Sequence, residues 1–310
     1  MHSAEALTEL GRALQRRAYC FTTVTPATHA RVLTRPADWA GSDESTRLRE
    51  IFGWNRPFAP ELLPSDLREL LLLTGFWVAR GVLLQARIRF STRGELLFAH
   101  SGFPTDEREA VFLGPDTYRF CAAIVRHCGN AERAVDIGCG TGAGGLSIAG
   151  RVGAIVLADI NDQALAFART NAQLAGAAVE IVKSDVLANV SGPLDLVVAN
   201  PPYLLDPGAR VYRDGGGAFG EALAVRIVRQ SLERLSPGGR LLLYTGAVNV
   251  AGTDTFLAAV EPLLRDADAR FSYEELDPDV FGEELERPHY ARVERIAAVL
   301  LQVQQQTRPQ

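Results

Sequence analysis

The apolar run Leu194-Asp195-Leu196-Val197-Val198-Ala199 ends abruptly in Asn200-Pro201-Pro202-Tyr203, and this junction limits the available folds more than any other stretch of the chain. A short, nearly continuous apolar run reads as a parallel strand buried on both faces. Two consecutive prolines stop it at its carboxyl end, which in an open parallel sheet is where ligands bind. The four residues carry complementary chemistry. The Asn200 amide and the carbonyls of Pro201 and Pro202 accept hydrogen bonds from a planar amino group, and the Tyr203 ring stacks on its face. Taken alone, the tetrapeptide also reads as a stiff turn leaving a strand.

Upstream, residues 134–137 read as an earlier strand, followed by Gly138-Cys139-Gly140-Thr141-Gly142-Ala143-Gly144-Gly145 and a helix through Ala149. Glycines let the backbone turn tightly and come close to a ligand at a helix N-terminus. Gly138, Gly140 and Ala143 also fit a dinucleotide fingerprint, and Asp159, closing the strand 154–158, suits the ribose hydroxyls of either kind of cofactor. Three features separate the readings. Asp136 sits in the strand end, where a nicotinamide-binding fold has an apolar residue; a helix over 161–175 and a strand over 180–182 lead to Lys183-Ser184-Asp185; and the fourth strand ends in Asn200-Pro201-Pro202-Tyr203.

On these residues, positions 111–303 resemble the class I S-adenosylmethionine-dependent methyltransferases. Residues 135–142 are similar to the family's methionine-binding motif, Asp159 to its ribose-binding acid, and Asp185-Val186 to its adenine-contacting pair. Asn200-Pro201-Pro202-Tyr203 resembles the acceptor motif of the amino-methylating branch, which includes HemK-type glutamine N5-methyltransferases, adenine N6-methyltransferases and small-domain ribosomal RNA guanine N2-methyltransferases. Pro115-Asp116-Thr117 is similar to the HemK-type lead-in, where Pro and Thr line the cofactor pocket. The resemblance implies an α/β fold: a seven-stranded Rossmann-like sheet with its last strand antiparallel, flanked by helices and preceded by a smaller α+β accessory domain over residues 1–110. It implies S-adenosylmethionine as cofactor, bound by Asp136, Gly138, Cys139, Gly140, Thr141, Gly142, Asp159, Ile160, Asp185, Val186, Asn200, Pro115 and Thr117.

The chain departs from the HemK type in three places. Val186 stands where an aromatic residue is common, the N-terminal residues do not match the helical release-factor-binding domain, and Tyr212-Arg213-Asp214-Gly215-Gly216-Gly217 is closer to a group of small-domain methyltransferases with a Tyr-Arg-Asp-Gly-Gly stretch. Tyr212, Arg213 and Asp214 are candidate substrate contacts, since an Arg in a Gly-flanked loop anchors a carboxylate or phosphate.

The N-terminal residues predict helices over 4–19 and 45–52, the second capped by Ser42 or Asp43, and a third opening at Pro64-Ser65-Asp66 with Leu67, Leu70, Leu71 and Leu73 inward. A strand over 82–90 turns at Gly94-Glu95 into 96–100, so this part reads as helices plus a hairpin, of winged-helix or similar kind. Arg87 and Arg89 project from one face of that strand with Arg80 and Arg93 nearby, which makes a nucleic-acid surface or a solvated strand face. Further on, a helix over 219–235, a strand over 240–246, a helix over 253–265 and strands over 271–276 and 295–303 complete the sheet. Residues 279–290, with Phe281, His289 and Tyr290, read as an inter-strand loop or a border of the acceptor site, and 304–310 as a disordered tail.

Composition narrows the partners. Formal net charge is -5 and Lys183 is the only lysine, so the whole-chain balance does not call for a polyanion. Together with the HemK-like lead-in, this makes a protein amide of glutamine type, as the resemblance implies, or a small molecule the favoured acceptor, an RNA or DNA base the alternative, and a non-catalytic cofactor-binding module a further one. Cys20, Cys121, Cys128 and Cys139 show no C-x-x-C spacing and read as reduced thiols, no cluster has metal-ligand spacing, and no apolar run of about 18 residues predicts a membrane span. A soluble cytoplasmic protein is expected; oligomeric state leaves no signal.

Overall fold

The computed structural model describes residues 3–208 and 210–306. Four helices, α1 (Ser3–Arg16), α2 (Pro26–Leu33), α3 (Glu44–Phe52) and α4 (Ser65–Thr74), precede two antiparallel hairpins. These are β1 (Trp77–Arg80) with β2 (Leu83–Ala86), and β3 (Ile88–Arg93) with β4 (Leu96–Ser101). Asp43 caps α3, its carboxylate accepting from the Thr46 N–H at 2.8 Å, and α4 stops at Gly75, whose φ of 74° suits a residue without Cβ. The helix α2 is absent from the sequence expectation. Its Thr25-Pro26 start has the cap and first-turn chemistry of a helix N-terminus, but eight mixed residues carry too little periodicity to announce it.

The single strand expected over 82–90 is two strands broken at Arg87. β2 pairs with β1 and β3 with β4, while the Arg87 N–H donates to the Phe76 carbonyl at 2.8 Å between them. The break resets the alternation. Arg87 stays at the surface, paired with Glu107, but Arg89 is only 1% exposed, with its guanidinium 6.0 Å from the Phe21 ring centroid. The basic strand face expected for nucleic acid is therefore not formed.

The rest of the chain runs α5 (Pro115–His127), β5 (Ala131–Ile137), α6 (Ala143–Ser147), β6 (Val152–Asp159), α7 (Asp162–Ala175), β7 (Glu180–Lys183), β8 (Leu194–Ala199), α8 (Ala222–Arg234), β9 (Leu235–Val250), β10 (Thr253–Asp254), α9 (Thr255–Asp266), β11 (Arg270–Asp277) and β12 (Arg295–Gln304). The sheet order is β11-β12-β9-β8-β5-β6-β7, with β10 pairing to β9 off this path. From β9 to β7 the strands are parallel; β12 lies antiparallel between β9 and β11, as the resemblance implies. β12 reaches Gln304, and the Gln305 N–H donates to the Gly239 carbonyl at 2.9 Å. Beyond residue 306 the expected tail lies outside the described residues.

Burial on both faces explains the unbroken apolar run in β8. Leu196 and Val198 pack with Phe120, Cys121 and Ile124 of α5, whereas Leu194, Val197 and Ala199 pack with Ile227 and Val228 of α8 and Phe256 and Val260 of α9. The N-terminal helices close the sheet from the side of α7. Leu7, Leu10 and Leu14 share a core with Ala164, Phe167 and Leu174, and each buried Leu or Phe side chain there contributes about 1.5–3 kcal/mol.

Candidate active site

The carboxyl ends of β5, β6 and β8, the start of α5 and the segment after β8 enclose a cavity of about 490 Å³. Two acids from neighbouring strands stand in its wall. Asp159, at the end of β6, accepts from the Gly140 N–H through Oδ2 and from the Asn161 N–H through Oδ1, both at 2.9 Å. It thus joins the glycine loop to the start of α7. Gly140 has φ +54°, a conformation glycine adopts without strain. Asp136 is 2% exposed, and its Oδ2 accepts from the Gly145 N–H of α6 at 2.7 Å. Burial raises both carboxyls above the usual range, Asp136 to about 7, with the Asp159 charge adding to the effect at Asp136.

Gly138, Cys139, Thr141, Ile160, Asp185, Val186 and Thr117 also line the cavity. Ile160 is 53% exposed, an apolar side chain left uncovered at the rim. Asp185 is paired with Arg226 at 2.5 Å. Two expected residues do not reach the lining: Pro115 occupies the first turn of α5, and Gly142, with φ +76°, precedes α6 where a Cβ would lie 3.1 Å from Leu157. They turn the chain without facing the cavity.

At the end of β8, Asn200, Pro201, Pro202 and Tyr203 face the same space. Among the described residues no hydrogen bond engages the Asn200 amide, and no N–H takes the Pro201 carbonyl. Tyr203 is fixed. Its hydroxyl donates to Asp116 Oδ2 at 2.6 Å, and the ring lies so close to Gly246 that a Cβ there would be 2.2 Å from a ring carbon. Burial foremost, and then the Asp116 carboxylate, hold the Tyr203 hydroxyl pKa well above the usual tyrosine value.

The segment after Tyr203 folds over the cavity differently from expectation. The Arg213 guanidinium is paired with Glu284 and lies 3.6 Å from Asp206. Arg210 grips Asp206 with its Nε at 2.9 Å and Nη2 at 2.6 Å, which holds the Asp206 carboxyl down at about 2. Arg213 is therefore spent on acids folded against it and is not a free anchor. The Tyr212 hydroxyl donates to the Thr105 carbonyl at 2.9 Å and its ring stacks on Phe112 at 5.8 Å. The Asp214 carboxylate accepts from the N–H groups of Asp206 and Gly216, each at 3.4 Å. All three line the cavity. Asp116, Arg108 and Phe112 are lining residues that the sequence reading passed over, although Asp116 lies between two that it marked.

Strand order, the antiparallel β12 and a cavity at the carboxyl ends of the parallel strands define a Rossmann-like α/β fold of the methyltransferase kind. Residues 120–251 match the family model described as methyltransferase small domain, and this match, with relatives named methyltransferases, supports an S-adenosylmethionine-dependent methyltransferase domain in that part of the chain. It is 37% identical over 153 residues to the release factor glutamine methyltransferase of Deinococcus radiodurans, covering 45% of this chain and 55% of that protein. It is 34% identical over 116 residues to the ribosomal RNA small subunit methyltransferase C of Chromohalobacter salexigens, covering 37% of this chain and 32% of that one. The crystal structure of Trm5b from Pyrococcus abyssi shares the fold, with a TM-score of 0.51 and 12% identity over 74% of this chain and 62% of that one. The chain thus spans little more than half of the Deinococcus relative.

Proposed function

We propose that the protein transfers a methyl group to a planar amide or amino nitrogen held by Asn200, Pro201 and Tyr203, with a glutamine-type amide of a protein, or a small-molecule amide, as the favoured acceptor. The observation that carries this reading is an Asn200 amide and a Pro201 carbonyl that are uncommitted among the described residues, beside a tyrosine ring fixed in place, all at one end of the cavity. S-adenosylmethionine supplies an electrophilic methyl on a sulfonium. The residues fit its other parts. Each Asp159 oxygen accepts one backbone N–H and keeps lone pairs for ribose hydroxyls, exposed Ile160 offers an apolar surface to a base, and the glycine loop lets main chain come close.

The chain's own work is alignment. Hydrogen bonds from the acceptor's amino group to Asn200 and the Pro201 carbonyl orient the nitrogen lone pair and stabilise the positive charge that develops on it. Asn200 is neutral and acts as an acceptor, not a base. The nucleic-acid reading draws on the Chromohalobacter relative but is weakened at the arginines that recommended it, since Arg89 is buried and Arg87 and Arg213 are each paired with an acid.

Calorimetric titration with S-adenosylmethionine and with NAD, on the wild type and Asp159→Ala, tests the cofactor. Selective binding of the methyl donor is expected, weakened in the variant by about 1.5–3 kcal/mol for lost charged hydrogen bonds; binding of NAD alone refutes the reading. Labelled-methyl transfer to a recombinant release factor, against purified small-subunit ribosomal RNA, then tests the acceptor. Label in the RNA alone overturns the protein assignment.

A further inference from the structure

One carboxylate joins three elements behind the acceptor loop. Asp116, in the first turn of α5, accepts from the Tyr203 hydroxyl through Oδ2 at 2.6 Å and from the Tyr244 hydroxyl of β9 through Oδ1 at 2.8 Å. Arg119, one turn on, balances its charge at 3.2 Å and is held from the other side by Asp277 at 2.9 Å. The Tyr203 ring is thus constrained on three sides: its hydroxyl by Asp116, one side by Gly246, and its edge by Phe281, with centroids 5.8 Å apart. Neighbours of Asp116 on the same helix, Thr117 and Phe120, line the cavity, so α5 ties the ring to the cofactor wall.

This arrangement decides what Tyr203 can offer. Its hydroxyl is engaged with a charged acceptor, a bond roughly twice as strong as a neutral one. It is therefore not available to donate to the substrate or to take its proton, and the ring is the part presented to the acceptor. We infer that Asp116 is the positioning residue that sets the plane of the Tyr203 ring for methyl transfer, an inference that rests on reading Asn200 to Tyr203 as the acceptor site. Tyr244 and Arg119 support it by fixing the carboxylate itself.

The test uses the full chain labelled with 3-fluorotyrosine and observed by fluorine NMR, where its seven tyrosines are few enough to assign with single Tyr→Phe variants. Asp116→Asn is expected to shift the Tyr203 and Tyr244 signals together and leave that of Tyr273, whose hydroxyl donates to Asp254 at 2.7 Å, in place. In transfer to a recombinant release factor, Asp116→Asn and Tyr203→Phe should each lower kcat/KM for the acceptor by roughly 10- to 100-fold through misplacement. The double variant should lose no more than either single one, with S-adenosylmethionine affinity unchanged within about twofold. An unmoved Tyr203 signal in Asp116→Asn, or losses that multiply in the double variant, overturns the inference. A joint shift with no transfer to the release factor supports the tether and refutes that acceptor, which separates the two failures.

Discussion

Asp136→Asn should make the protein more stable while weakening its hold on S-adenosylmethionine. The carboxyl is 2% exposed and receives one hydrogen bond, from the Gly145 N–H, which an Asn oxygen can equally accept. Burial first, and then the neighbouring Asp159 charge, raise its pKa from the usual 3.8 to about 7. The folded value thus lies above the unfolded one, so the native state keeps a proton that the unfolded chain releases. Stability falls as pH rises from about 4 through about 7 and levels off above that. At 1.36 kcal/mol per unit, the carboxyl costs about 4 kcal/mol at pH 8 and about 1–2 kcal/mol at pH 5, so the advantage of the variant should widen by roughly 2–3 kcal/mol between them. Urea denaturation of both proteins at the two pH values, without ligand, measures this. A stability difference that does not change with pH, or a variant less stable than wild type at pH 8, refutes the reasoning. Calorimetry on the same samples tests the second half: an acid that costs stability and faces the cavity serves the ligand, so the more stable variant should be the weaker binder.

Gly246→Ala places a methyl 2.2 Å from the Tyr203 ring and should cost about 1–3 kcal/mol in overpacking. Acceptor methylation should fall while donor affinity, read by calorimetry, is kept. Arg89→Met removes a buried guanidinium whose Nε and Nη2 have no hydrogen-bond partner and which meets no carboxylate among the described residues. Urea denaturation should show a gain of about 1–3 kcal/mol, and a loss would mean that the Phe21 contact outweighs the desolvation. Asn171→Ala leaves Ala99 N–H, Ala99 C=O and Thr141 C=O without the partner that now binds them at 2.7, 3.0 and 2.9 Å. It should cost about 3 kcal/mol or more, since each buried unsatisfied group costs about 1–3, and a loss under about 1 kcal/mol by urea denaturation would contradict the geometry.

The parts legible in the sequence are those where local chemistry and tertiary demand agree. β8 is announced by an apolar run that burial on both faces requires, and its end by two prolines that cannot continue a ladder; the loop after β5 is announced by glycines at φ +63° and +54°. What stayed hidden depends on partners far away in the chain. Nothing near Arg89 says that its strand changes partner at Arg87, which is what turns it inward. Arg213 looked free because the acid that takes its charge, Glu284, arrives on the loop between β11 and β12. Asp116 stood between two marked residues, yet its role became visible only when Tyr203 and Tyr244 converged on it.

The two ends of the cavity are held by different tethers. Asn171 of α7 binds both backbone groups of Ala99 in β4 and the Thr141 carbonyl of the glycine loop, so the N-terminal hairpin braces the loop that meets the methyl donor in the proposed mode. Pro26, at the start of α2, lines the cavity itself. The other end, where the proposed acceptor site lies, is braced by Asp116 through Tyr203. Between them, the segments before α5 and after β8 are fastened to each other: the Val211 N–H donates to the Arg108 carbonyl at 3.0 Å, the Tyr212 hydroxyl to the Thr105 carbonyl, and Phe112 stacks on Tyr212. Bonds of this kind fix backbone and leave the Arg108 side chain, exposed at the mouth, uncommitted among the described residues. In the proposed mode, alignment of donor and amino group depends on the two braced ends, while the shape and charge of what enters depend on the paired segments between them. Acceptor choice can therefore change through residues 102–112 and 204–214 without disturbing the geometry of transfer.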